Sequence, residues 1–163
     1  MNVNCYNYLD NNLLQLVLND DQQKLIILDD SSGKIVFRSK VDAVIEVRHT
    51  GIWLGTDFHT GEVYVIHNHY DFGGTHIATL SAYAAGQQVH WKKGSCTNDP
   101  RQVINKGLDH VVSGRSYNGL IYNCHTFTNT ACYNNPISEN VRKWLWLVLG
   151  VLLAGVAVAA FGT

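Results

Sequence analysis

The sequence predicts an α+β domain followed by a C-terminal transmembrane helix. Three observations carry this. Short β-branched and aromatic runs occupy the first half of the chain. Two helical patterns follow after Pro100. The chain ends on an uninterrupted apolar stretch, "WLWLVLGVLLAGVAVAAF", at 144–161. Runs of strands followed by runs of helices suit a packed sheet-and-helix domain.

The elements follow in order. Residues 1–23 are rich in Asn, Asp and Gln around "LLQLVL", which reads as a short helix or strand. "KLIIL", then "DDSSG", then "KIVFR" reads as two strands joined by a turn in which Gly33 supplies the permissive backbone. "DAVIEV" (42–47), "HTGIWLG" (49–55) and "EVYVIHNHY" (62–70) are three further strands by composition. Residues 71–98 read as loop, with a small helix around "ATLSAYAAG". "RQVINKGLDHVV" spaces its apolar residues as a helix does, with Pro100 in the first turn and Gly114 as the stop. "CHTFTNTACY" is a second helix that opens at Cys124, and "NNP" breaks the chain after it. The domain organisation is therefore an N-terminal extension with a hairpin (1–40), a central domain (41–135) and the apolar tail (144–161).

The tail carries no charge or strongly polar side chain. Its 18 residues would span roughly 27 Å as a helix, close to the hydrocarbon thickness of a bilayer. Trp144 and Trp146 stand where interfacial aromatics belong, and Arg142 and Lys143 precede them. The expectation is a single-pass tail anchor, with residues 1–143 facing the cytosol and the bilayer as a partner.

Charge excludes one class. There are 12 Lys+Arg against 13 Asp+Glu, a formal net charge of −1, so no basic surplus points to nucleic acid. The N-terminus has neither a basic nor an apolar leader region, and the four cysteines are expected to be reduced thiols. No CxxC pair is present, which argues against a cysteine zinc site. "HNH" places His67 and His69 on one strand face, but no third ligand has suitable local spacing, so no metal or other cofactor is expected.

The chemistry centres on "IYNCHTF" (121–127). Cys124 sits where a loop enters a helix, and unpaired N–H groups and the helix dipole favour a thiolate there. A cysteine at a helix start is also commonly an inert buried thiol. His49 opens one strand and His67 closes the next. If the two pair as an antiparallel hairpin, the imidazoles become neighbours, suited to a base and its orienting partner. The plain alternative is two exposed polar residues at strand ends. His125 reads as an exposed helix position, His59, His76, His90 and His110 as surface residues, and Cys132 as a packed thiol.

"VIEVRHTGIWLG", "YVIH" and "YNCHTF", in that order, resemble the lecithin:retinol acyltransferase-like (H-box/NC) family. This is a permuted branch of the papain-like superfamily that includes picornaviral H-box/NC proteins. The resemblance covers roughly residues 41–133. It implies a small antiparallel sheet with a packed helix carrying the cysteine at its N-terminus. It further implies Cys124 as nucleophile, His49 as general base and His67 as the orienting third member. Activity as a thiol acyltransferase or phospholipase on glycerophospholipid esters would follow. The chain departs from the pattern at Thr50, at His125–Thr126 and in the inserted "TDFHTGE". The altered box leaves open a non-enzymatic viral module that binds host or cellular proteins.

Overall fold

The computed structural model describes residues 1–39, 48–119, 121–137, Arg142 and Trp146. Eight strands form one antiparallel sheet: β1 (Val3–Tyr8), β2 (Leu13–Leu18), β3 (Gln23–Ile27), β4 (Ile35–Ser39), β5 (Arg48–Asp57), β6 (Val63–His69), β7 (Gly74–Thr79) and β8 (His90–Trp91). Among the described residues, three helices pack with it: α1 (Leu80–Ala84), α2 (Pro100–Val112) and α3 (Cys124–Tyr133).

β5 is the hub. Its first half pairs with β4, with Arg38 opposite His49, and its far end pairs with β3. Its other edge carries β6, with Gly51 opposite His67, and β6 carries β7, with His67 opposite His76. The "DDSSG" turn therefore closes no hairpin between β3 and β4. Both strands lie along one edge of β5, and the hairpins within residues 1–40 are those of the meander β1–β2–β3. At the far end, the Ile77 amide donates to the Met1 carbonyl at 3.3 Å, joining the start of the chain to β7.

The sheet buries both faces. Alternation in β2 sends Leu14, Leu16 and Leu18 inward. They join Ile52, Leu54, Tyr64, Ile66 and Ile77 beneath α2 and α3 in the main core. The opposite face holds a smaller cluster of Val36, Val65 and Tyr83, with Tyr83 supplied by α1. α2 begins where Asp99 accepts the Gln102 amide, and Pro100 fits the first turn because its missing N–H has no partner to lose there. It turns Val103, Ile104, Leu108 and Val111 inward. Gly107 lets it approach β6, since a Cβ there would lie 2.9 Å from Ile66 Cδ1.

Two expectations need correcting. Among the described residues, no helix is long and apolar enough to cross a membrane. The longest, α2, has 13 residues, about 20 Å against the roughly 30 Å of a bilayer core. Among the described residues the fold class is thus α+β with an antiparallel sheet and three helices, none of which could cross a membrane. The stretch 144–161 lies outside the described residues apart from Trp146, as does the expected strand 42–47. The second correction concerns the cysteines. Cys96 and Cys132 form a disulfide, so Cys132 is not a packed thiol. The Thr97 and Asn98 amides both donate to the Cys132 carbonyl at 3.1 Å, which seats the 96–98 loop against the last turn of α3.

Candidate active site

Asn123 sets the start of α3. Its side chain accepts the His125 and Thr126 amides, both at 3.0 Å, while Thr126 Oγ1 accepts the Asn123 amide at 3.1 Å. This reciprocal cap ends the loop one residue before Cys124 and leaves the thiol on the first helical position. The thiol is buried, and burial pushes its pKa up. Hydrogen bonds from the Thr50 amide and hydroxyl, and from the His125 and Cys124 amides, oppose that rise. Thr50 is held under α3 by its contact with Thr128, Oγ1 to Oγ1 at 3.2 Å.

His49 and Thr50 are consecutive, so the strand sends them to opposite faces. Thr50 faces α3. His49 faces α1, where its ring lies 5.4 Å from that of Tyr83, whose hydroxyl donates to the His49 carbonyl at 2.8 Å. The sheet brings His67 to the same side, and His49 Nε2 lies 2.8 Å from His67 Nδ1. Both rings are buried. Burial first, then the Arg38 charge, lowers His49 to about 3. Burial, then His76 and His49, lowers His67 further still. Both are neutral imidazoles at physiological pH.

Cys124, His49 and His67 line one cavity of about 490 Å³ at the end of the sheet where β5 begins. That volume suits a small-molecule site. Asn68 and Arg38 line it as well, and Tyr70, Phe72 and Tyr117 border it. Reading the sequence missed Asn68 and Arg38. Asn68 is fully buried directly across the strand pair from Thr50, and neither of its amide atoms has a hydrogen-bond partner. It lies near enough to the Tyr122 hydroxyl to bias it, but that hydroxyl is bonded to Thr75 at 2.8 Å. A polar residue beside a candidate histidine in "HNH" was the only signal.

The remaining histidines divide. His59 and His90 are exposed. His110 is half-buried between Tyr122 and Phe127. His76 is buried rather than on the surface, with its ring 4.1 Å from that of His67, and burial lowers it to about 4. His125 is half-buried, not exposed, and its charge bears on His49. His69 lies 5.0 Å from His49, ring to ring. Among the described residues, no group of three or more His, Cys, Asp or Glu side chains is arranged to hold a metal ion. Searches for similar proteins return no matching family model, curated protein or solved structure.

Proposed function

We propose that this protein is a cysteine-dependent acyltransferase or hydrolase acting on acyl esters, glycerophospholipid esters among them. The observation that carries the reading is the buried His49–His67 hydrogen bond in a cavity shared with Cys124. A neutral thiol that shares a cavity with a neutral imidazole works by general-base catalysis once a substrate or a side-chain movement brings the two together. His49 takes the proton as sulfur attacks the ester carbon. The S–C bond forms, the C–O bond breaks, and the leaving alkoxide recovers the proton from the imidazolium. Water or an amine then releases the acyl group from the thioester. His67 orients His49. The Asn68 amide, on the strand beside β5 and unpartnered, is a side-chain donor on the wall of this cavity that could meet the carbonyl oxygen as charge develops there.

Purified protein incubated with radiolabelled phosphatidylcholine tests this. Release or transfer of the acyl label should vanish in Cys124→Ser and His49→Gln. An unchanged rate in either variant removes the mechanism.

One observation favours a second reading, a non-enzymatic module that binds host or cellular proteins: burial holds the Cys124 thiol in its unreactive protonated form. Iodoacetamide separates the two. A thiol reacting no faster than a free model cysteine, with or without substrate analogue, supports the interaction module.

A further inference from the structure

We propose that Arg38 is an oxyanion-binding subsite of this cavity, taking a phosphate or phosphodiester group of the ligand that occupies it. The proposal extends the acyl-transfer reading by naming a substrate feature, and it can be tested without turnover.

Arg38 is 8% exposed and sits on β4 directly opposite His49. A guanidinium so deeply buried is ordinarily matched by a carboxylate, because an uncompensated buried charge is costly. Here no carboxylate pairs with it among the described residues. Its neighbour is the Tyr83 ring, 5.8 Å away, and its Nε is buried without a hydrogen-bond partner. The side chain lines the cavity that also holds Cys124 and His49. Arg48 lines it too, over the Phe37 ring at 4.8 Å. The acid on the cavity wall, Asp71, lies at the exposed rim beside His69 at 3.5 Å. A buried guanidinium with an unpartnered Nε and no counter-charge among the described residues, lining a ligand-sized space, suits a phosphate oxygen pair.

The position adds a consequence. Arg38 is the largest electrostatic contributor, after burial itself, to the suppressed basicity of His49. An anion on the guanidinium offsets that part of the shift, while burial, the larger cause, remains. A neutral ester offsets neither.

The test uses the full chain as Cys124→Ala, which has no nucleophilic side chain at that position, with two probes titrated by calorimetry: inorganic phosphate and short-chain dihexanoyl phosphatidic acid. Arg38→Met should weaken both at least about tenfold, and Arg38→Lys should weaken them less. If phosphate binds as well as the lipid, the site reads the anion alone. If only the lipid binds, the source is a headgroup with its chains. Either result supports the subsite. In the same protein, with Arg38 intact, phosphate should shift the His49 side-chain NMR signals and raise its titration midpoint. This readout does not depend on how well the variants fold. Equal affinity in Arg38→Met, or no perturbation at His49, overturns the proposal. Binding through Arg38 without acyl release from the unsubstituted enzyme would retain the subsite and reject the acyl-transfer reading. Acyl release indifferent to Arg38→Met would do the reverse.

Discussion

His49 Nε2 and His67 Nδ1 meet at 2.8 Å across two antiparallel strands, and the contact gives the two rings different work. The bond engages Nε2 of His49, so in the tautomer whose Nε2–H donates to His67 the proposed base is Nδ1. His49→Ala should therefore lower kcat by roughly 10²–10⁴, the range for losing a general base. His67→Ala should cost less, and His67→Gln should recover part of the loss because an amide can still hold the ring. Steady-state kcat and KM for the three variants check this. A His67→Ala enzyme with unaltered kcat would show that the bond is structural only.

The buried histidines make the fold acid-sensitive. His49 and His76 are held at about 3 and about 4, below their unfolded value of 6.5, and His67 is lowered as well. The unfolded chain thus binds more protons than the folded one once the pH drops below about 6.5. Stability is full above that point. It declines as pH falls from 6.5 towards 4 for His76 and towards 3 for His49. Each ring contributes at most about 1.4 kcal/mol per pH unit within its window. Urea midpoints measured between pH 7.5 and 4 should fall, and His76→Gln should flatten the slope. A flat profile across that range would contradict the burial of neutral rings.

Asn123 holds the nucleophile's helix by its first turn. Asn123→Ala should cost about 1 kcal/mol, as helix caps do, while Asn123→Asp should keep the cap. The alanine variant should also lose activity beyond its stability loss, because the amides beside Cys124 are ordered by the same side chain. Thermal unfolding together with initial rates separates the two effects. Equal Tm for alanine and wild type would remove the cap from the account.

The Cys96–Cys132 bridge closes a loop with a sequence separation of 36. Chain entropy for a loop of that size corresponds to roughly 3–4 kcal/mol of stability. Reduction, or Cys96→Ser, should lower the urea midpoint accordingly. Mass spectrometry after alkylation of the denatured, unreduced chain should find Cys5 and Cys124 labelled and the bridged pair protected. Four reactive thiols in the folded protein would refute the pairing.

Local chemistry explains what could be read from the sequence. α2 lies at Pro100–Val112 because Asp99, Pro100 and an apolar stripe all act within one segment. α3 opens at Cys124 because Asn123 caps it. β6, rich in β-branched and aromatic residues, falls within the expected 62–70. The features that escaped depend on pairing across the sheet. "GTHIAT" lies among glycines and a histidine and reads as loop, but it becomes β7 because β6 offers it an edge. That pairing carries His76 into the interior. Arg38 reads as an ordinary strand residue until the β4–β5 register sets it against His49. Cys96 and Cys132 show no recognisable spacing, because the bridge joins a loop to a distant helix.

The adjacency of His49 and Thr50 has a consequence for how this chain tolerates change in length. One peptide sends an imidazole to Tyr83 and a hydroxyl to Cys124, so the two halves of the cavity are read out by a single parity along β5. Inserting one residue between Thr50 and Gly51, or deleting Gly51, would exchange the two side chains between faces. It would bring a threonine to His67 and an imidazole to Thr128. The strand could persist with both partners reversed, so the site can be lost whole while the sheet survives.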